Sequence, residues 1–238
     1  MTLIRSHPLY KKERVLKVHT LLHEFIDYKG PTTGVKGAIE YVDRYHTMVC
    51  EKTQYHNMSQ RDLWFMVMYQ LGIHERITLE QVDFIIAQCN ELFGLYPPEF
   101  IEKDTIKILK EVAAMGITID IISNTGFITS GTLRRSFLDK TLGKIVRKMY
   151  FSDAYVWAKP NRELFESSLR SVTINGNRDF DPHNVLHVGD NIIADIKGAK
   201  DAGFHTMWIN CGPEGDKLNQ LPDYIKKLNN GEDSCRET

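Results

Sequence analysis

The stretch from Val185 to Ile209 constrains the fold of this chain more than any other. Its first residues form an apolar run that ends in Gly189 and Asp190. A buried parallel strand shows this pattern when an acidic residue lies at the carboxyl edge of the sheet. Asp195 follows at a predicted helix start, where negative charge is stabilised. Gly203 ends that helix, and a second apolar run follows. This order predicts a parallel sheet with a ligand site at its carboxyl edge.

The same alternation of helices and strands extends back to Pro98. Helices are predicted at 101–115, 129–138, 162–169 and 194–202, and strands at 117–123, 149–152, 184–189 and 205–210. Alternation of this kind requires a doubly wound, Rossmann-like parallel sheet. The predicted fold class is therefore α/β.

Four amphipathic helices precede Pro98, with no strand between them. The first two cover 12–28 and 35–52, and the others open at capping boxes, Ser59–Asp62 and Thr78–Gln81. Consecutive amphipathic helices predict a small bundle. We therefore predict an N-terminal remnant of the core at 1–14, a helical cap domain at 15–96, a Rossmann-like core at 97–228 and a disordered tail at 229–238.

The composition excludes several classes of protein. The formal net charge is −1 and 42% of the residues are hydrophobic, so neither a nucleic-acid partner nor a membrane surface is expected. No apolar run approaches the ~18 residues of a membrane span, which makes the cytoplasm the default expectation. The four cysteines lie far apart and predict neither a zinc site nor a disulfide framework. His19 and His23 share a helical spacing, but a packed or solvated face explains it better than a metal site.

Three short motifs occur in a fixed order: Ser123-Asn124-Thr125-Gly126 after a strand, Ala158-Lys159-Pro160, and Gly189-Asp190 with Asp195. Together they resemble the haloacid dehalogenase (HAD) superfamily, over about half the chain. A helical cap inserted ahead of a Rossmann-like core is also similar to that superfamily. Haloacid dehalogenases proper prefer an Asn-containing loop where this chain has Gly189-Asp190, so the Mg²⁺-dependent phosphatase branch fits better.

The resemblance implies a role for each motif residue. Lys159 would neutralise a phosphoryl group, Ser123 and Asn124 would bind it, Asp190 would hold Mg²⁺, and Asp195 would be a secondary or occasional direct ligand. Each residue also has a simpler explanation when taken alone. Ser123 could be a helix N-cap, Lys159 a solvated loop lysine, and Asp195 a charge that stabilises its own helix start.

The resemblance also implies an Asp-x-Asp-x-Thr motif at the end of the first strand, and this chain shows only its end. If Thr2-Leu3 is the Thr-Leu of that motif, both aspartates fall just before residue 1. Asp27 and Asp43 lie in helical stretches and are expected to be surface charges. Because the first strand of such a sheet is central, its absence would leave two neighbours unpaired across ~10 Å. We therefore expect the reading frame to extend upstream into an apolar run and Asp-x-Asp.

Two functions from different classes remain open at this point. The first is a phosphatase that hydrolyses a small phosphate ester through an aspartyl-phosphate, and the second is a catalytically inactive binding or scaffold protein. Retention of the three motifs favours the first, whereas absence of the nucleophile from the given residues favours the second. Arg5, His7 and Arg44 are possible substrate contacts, although surface basic residues of this kind are usually solvated. The sequence determines neither the substrate nor the oligomeric state.

Overall fold

The computed structural model describes residues 2–53, 57–155, 157–170, 181–209 and 216–231. No helix within these residues is both long and apolar enough to cross a membrane. The predicted tail at 229–238 lies largely outside the described residues, as do Asn210 of the last predicted strand and residues 171–180.

The first half of the chain is helical. Its helices are α1 (Pro8–Ile26), α2 (Thr32–Thr53), α3 (Gln60–Gln70) and α4 (Leu79–Leu95). Both predicted capping boxes are present: Ser59 caps α3 reciprocally with Asp62, and Thr78 caps α4 with Gln81. Apolar faces of all four helices meet in one core that includes the fully buried Trp64.

Helix α1 begins earlier than the sequence pattern predicted. Pro8 occupies its first turn, where the fixed φ of proline suits a helix, and the His7 ring accepts a hydrogen bond from the backbone N–H of Leu9. Residues 8–14, assigned to the core from sequence, are therefore continuous with the first helix of the bundle. Strand β1 (Ile4–Arg5) precedes the bundle and strand β2 (Glu99–Phe100) follows it. The two short strands pair with each other in antiparallel orientation.

The second half alternates strands and helices, as predicted. In order it contains α5 (Thr105–Ala114), β3 (Ile119–Ser123), α6 (Ser130–Leu133), α7 (Asp139–Thr141), β4 (Val146–Phe151), α8 (Ser152–Tyr155), α9 (Arg162–Arg170), β5 (Leu186–Gly189), α10 (Gly198–Asp201), β6 (His205–Trp208) and α11 (Leu221–Asn229). Single π-helical turns, Arg134–Leu138 and Ile192–Lys197, lead into α7 and α10. The α/β fold class is confirmed.

Strand β4 and helix α11 show two differences from the sequence pattern. Strand β4 starts three residues early because Arg147 and Lys148, which interrupt its apolar pattern, remain exposed, and Arg147 pairs with Asp120 of the neighbouring strand. Helix α11 was not predicted. Its buried Leu221 and Ile225 belong to the same apolar cluster as residues of α5.

The parallel strands do not form one continuous sheet. Within the described residues β3 pairs only with β4, and β5 pairs only with β6, so two parallel pairs stand side by side without a ladder between them. The predicted parallel sheet is therefore present in the described residues as two separate strand pairs. One edge each of β3 and β5 has no strand partner among these residues.

Candidate active site

Lys159 is the centre of a hydrogen-bonded cluster where β3 and β5 end. Its backbone N–H donates to Asn124 Oδ1 at 2.7 Å, and its carbonyl accepts from Asn124 Nδ2 at 2.9 Å. Its ammonium donates to the carbonyl of Ile122, at 3.0 Å, and to Asp195 Oδ1. An ammonium has three N–H groups, so one donor remains for a further acceptor. Asn124, directly after β3, thus fixes the backbone of this lysine, whereas Ile122 of β3 and Asp195 fix its charged end.

Asp195 is the counterion of Lys159. It is 3% exposed, and its carboxylate accepts from Lys159, from His187 Nε2 at 3.3 Å and from the backbone N–H of Asn191 at 3.0 Å. Burial alone would raise the pKa of Asp195, but the charge of Lys159 and the bond to His187 outweigh it and hold the pKa below its ordinary value. Asp195 therefore remains ionised and is bonded at both oxygens.

These contacts bear on the predicted role of Asp195 as a secondary or occasional direct metal ligand, which stays a prediction. Oδ1 is shared by Lys159 and His187, and Oδ2 accepts from a backbone amide, so direct coordination would require replacing these partners. The same packing explains Gly189: a Cβ added there would lie 2.2 Å from the Cβ of Asp195. The Gly-Asp sequence thus leaves space for the second acidic side chain of the loop.

Asp190 stands at the end of β5, as predicted. Its Oδ1 accepts a hydrogen bond from the hydroxyl of Thr2 at 2.9 Å, and its carbonyl accepts from the indole N–H of Trp208 at 3.1 Å. The first residues of the chain therefore lie against the acidic loop. The placement of Thr2 at the end of the first motif stays a prediction.

Ser123 and Asn124 lie in the turn after β3. The Ser123 hydroxyl donates to the carbonyl of Asn124 at 3.1 Å, while the Asn124 side chain holds Lys159 rather than facing a ligand. Thr125 continues the turn, and its N–H donates to Ser152 Oγ at 2.9 Å. Ser123 is therefore not a helix N-cap here, and Asn124 acts on the site through the lysine that it holds.

A cavity of about 1260 Å³ opens between the two pairs of strands. It is lined by residues of β3 and β5, by the strand-end residues Ser123, Lys159 and Asp190, and by residues of α1 and α2. Its volume exceeds the ~300–1,000 Å³ typical of small-molecule pockets. The cavity therefore includes the carboxyl ends of β3 and β5. It also includes the space between the edges of these two strands that have no strand partner in the described residues.

The other sequence candidates lie apart from this cluster or have other partners. Arg5 and His7 both contact Glu99, with nitrogen to oxygen distances of 3.2 and 3.6 Å. Arg44 is exposed on α2 and does not line the cavity. Asp27 is an exposed residue at the C-terminus of α1, as expected. Asp43 is exposed too, but it also lines the cavity from α2.

Two residues of the cluster were not identified from the sequence. His187 lies in β5 between apolar neighbours that pack elsewhere, and burial lowers its pKa although the bond to Asp195 opposes that shift. Glu51, on α2, accepts a hydrogen bond from the Asn191 side chain at 2.7 Å and so ties the helical bundle to the acidic loop. Neither residue belongs to a local motif, since each acts across the tertiary structure.

Comparison with known proteins finds one family that resembles part of this chain. The HAD-hydrolase-like family model matches residues 156–228, which contain Lys159 and the acidic loop. Glyceraldehyde 3-phosphate phosphatase of Pyrococcus furiosus is 26% identical over 107 residues, covering 42% of each protein. HAD-hydrolase YfnB of Bacillus subtilis is 28% identical over 119 residues, covering 46% of this chain and 48% of YfnB. This chain is therefore similar to HAD-like hydrolases over the residues that contain Lys159 and the acidic loop.

Solved structures of HAD proteins share this fold. The magnesium-bound structure of YfnB covers 96% of this chain and 94% of its own, with a TM-score of 0.64 and 15% identity. The L-2-haloacid dehalogenase of Xanthobacter autotrophicus, with chloropropionic acid covalently bound, has a TM-score of 0.57, 14% identity and 95% coverage of both chains. At such identities these structures establish the HAD fold alone. The curated sequence relatives above are matched over about half their length or less.

Asp190 is suited to a magnesium ion, although it could not form a complete metal site by itself. No group of three or more His, Cys, Asp or Glu side chains that could hold a metal occurs in the described part of the chain. Mg²⁺, however, usually keeps several waters and binds through one or two carboxylates and substrate phosphates. A hard oxygen ligand at the end of β5 fits that pattern.

Proposed function

We propose that this chain is a HAD-like phosphatase that hydrolyses a small phosphate ester, with Mg²⁺ and through an aspartyl-phosphate. The observation that carries the proposal is the buried Lys159, held by Asn124 and Asp195 at the end of two parallel strands with one donor remaining. Lys159 is held by contacts from Ile122 of β3, from Asn124 and from Asp195, which fix its ammonium in one position. A lysine with no binding role would not need its ammonium fixed in this way. The name of the Pyrococcus relatives, a phosphatase of a small phosphorylated aldehyde, supports the same class of substrate.

In this proposal the charges of the strand-end residues determine their roles. Lys159 donates to a non-bridging phosphoryl oxygen and so reduces the repulsion between the phosphate dianion and a carboxylate nucleophile. Ser123 turns its hydroxyl from the Asn124 carbonyl towards a second phosphoryl oxygen. Asp190 would hold Mg²⁺, which when bound supplies further charge neutralisation. Asp195 positions Lys159 and does not contact substrate.

Neither strand-end carboxylate is proposed as the nucleophile, because Asp195 is bonded to Lys159 and Asp190 is assigned to the metal. We propose that an aspartate in a segment preceding Thr2 supplies it. Thr2 already contacts Asp190, so a strand that ran between β3 and β5 and joined Thr2 would end beside Lys159. The attack would form a phosphoaspartate and expel the alcohol, and water would then hydrolyse that intermediate.

The test is hydrolysis of p-nitrophenyl phosphate with Mg²⁺. The chain beginning at Met1 should be nearly inactive, because losing a covalent nucleophile typically costs ~10⁴ or more in rate. A longer chain, preceded by its own upstream residues, should be active, and Lys159→Ala should remove that activity. A stop codon directly upstream, or turnover by the short chain at about 1 s⁻¹ or faster, would contradict the proposal.

The second candidate function is a non-catalytic phosphate-binding or scaffold protein. Both carboxylates of the acidic loop already accept hydrogen bonds within the described residues: Asp190 from Thr2 and Asp195 from Lys159. This favours the second function, because neither carboxylate is then a nucleophile. The two functions differ in one measurement. A longer chain that binds phosphate but does not hydrolyse the ester would favour the scaffold.

A further inference from the structure

Helix α1 places two buried donors without partners on the wall of the cavity. Tyr10 is 2% exposed, and its hydroxyl, which lies beside the Arg14 guanidinium, donates to no acceptor among the described residues. Arg14, one helical turn later, has a buried Nε that is likewise unpartnered within them. Both residues line the cavity that contains Lys159. Since buried polar groups without partners are costly, two of them at one place indicate a ligand.

Aromatic rings hold the Arg14 guanidinium in position. Its Cζ lies 5.3 Å from the ring centroid of Tyr10 and 5.3 Å from that of Phe127. The Tyr10 ring itself packs edge-on against Phe93, with 5.1 Å between centroids. In the described parts of the chain no carboxylate lies within ion-pair distance of Arg14. A guanidinium fixed by ring faces and lacking a counterion is prepared to bind an anion.

This cation lines the same cavity as the proposed phosphate site and contacts Phe127, four residues after Ser123. Phe127 belongs to the same turn as Ser123, and its carbonyl accepts a hydrogen bond from Gln60 of α3 at 2.6 Å. The turn that binds the phosphoryl group therefore also supports Arg14. Helix α2 contributes Asp43 and Glu51 to the lining of the same cavity. An anionic group would be repelled by these two carboxylates and attracted to Arg14.

We infer that Tyr10 and Arg14 form a subsite for a carboxylate of the substrate, so that the substrate is a small phosphate ester that also carries a carboxylate. Two donors match the two oxygens of one carboxylate, and guanidinium recognition of this group is characteristically strong. Burial raises the pKa of Tyr10, which keeps its hydroxyl protonated as a donor. This inference rests on the proposed function, because it requires phosphate to bind at Lys159.

The test compares two ligands that differ only in the carboxylate, 2-phosphoglycolate and ethyl phosphate. Their binding to the full chain is measured by isothermal titration calorimetry with Mg²⁺ present. The parent should bind 2-phosphoglycolate more tightly, and Arg14→Gln should weaken that binding about 10- to 100-fold while leaving ethyl phosphate unchanged. Tyr10→Phe, which removes only the hydroxyl, should weaken 2-phosphoglycolate selectively as well.

Arg44→Gln is the matched control, because it removes an exposed guanidinium that lies outside the cavity. It should preserve the preference of the parent. Arg14→Lys keeps the charge and most of the packing, and should give a partial loss even if Arg14→Gln fails to fold. Ethyl phosphate binding with no preference for 2-phosphoglycolate, or a preference that survives the Arg14 substitutions, would overturn this inference alone. If neither ligand bound, the proposed phosphatase function would fail with it.

Discussion

Replacing Lys159 with methionine should destabilise the folded chain strongly, because it leaves the carboxylate of Asp195 buried without its counterion. The side chains of Lys159 and Asp195 are only 11% and 5% exposed. Removing one partner of a buried ion pair typically costs about 3–5 kcal/mol. Asp195 keeps His187 and the Asn191 amide as donors, so the expected loss is near the lower end, about 3 kcal/mol.

Urea unfolding at equilibrium measures this loss. With slopes of about 1–3 kcal/mol/M, Lys159→Met should lower the midpoint by roughly 1–3 M. The double variant Lys159→Met/Asp195→Asn removes both charges and should recover much of the loss. Arg61→Met provides a contrast, since its ion pair with Asp83 is exposed on both sides, and its midpoint should not change measurably.

The pH dependence gives a second, independent check on Lys159→Met. In the parent the pKa of Asp195 is held low, so the stability that it contributes is present above its unfolded pKa, ~3.9, and is lost as the pH falls below that. In the variant, burial should instead raise this pKa, so acidification relieves the penalty. The gap between parent and variant should narrow from about pH 7 to about pH 4. An exposed ion pair is worth under about 1 kcal/mol. If Lys159→Met lowered the free energy of unfolding by no more than that at neutral pH, Lys159 and Asp195 would not behave as a buried ion pair.

Three further predictions concern the metal ligand, one histidine and two glycines. In the longer chain with Mg²⁺, Asp190→Asn should abolish hydrolysis of p-nitrophenyl phosphate and Asp195→Asn should be milder, and equal activity of Asp190→Asn and the parent would exclude the metal assignment. Burial lowers the pKa of His46, so folding favours the neutral imidazole and the folded chain loses stability as the pH drops below ~6.5. The urea midpoint of the parent should therefore be lower at about pH 5.5 than at about pH 7.5, and His46→Gln should reduce this difference. Gly37 of α2 faces open space, so Gly37→Ala should raise the free energy of unfolding by ~0.4–1 kcal/mol. At Gly198 an added Cβ would come within 2.9 Å of packed atoms, so Gly198→Ala should lower it by ~1–3 kcal/mol. Thermal unfolding measures both changes.

The sequence predicted the parts of this chain that depend on local patterns. Alternating apolar runs and helical periods gave the α/β class, and the capping boxes at Ser59 and Thr78 gave the starts of two helices. The strand ends at Ser123 and Asp190 were also placed correctly, because a turn or an acidic residue directly follows each apolar run. Such signals are read within a few residues along the chain.

Features that depend on tertiary contacts could not be predicted in the same way. Asp195 looked like a second metal ligand because its spacing from Asp190 fits a shared cation, yet the fold turns it towards Lys159, 36 residues away. Arg14 looked like one basic residue among many on an amphipathic helix. Only the packing of α1 against the turn that contains Phe127 distinguishes it from Arg44.

The charges at the strand ends also explain why the proposed function needs a cation. Lys159 and Asp195 form an ion pair with no net charge, and Asp190 then adds one negative charge beside the phosphate position. An aspartate nucleophile would add a second, so a phosphate dianion would meet two carboxylates with only one remaining N–H of Lys159 to oppose them. A divalent ion held by Asp190 would balance those two carboxylates and leave the ammonium to face the phosphate. The ion pair that orients Lys159 therefore also makes the proposed catalysis dependent on Mg²⁺.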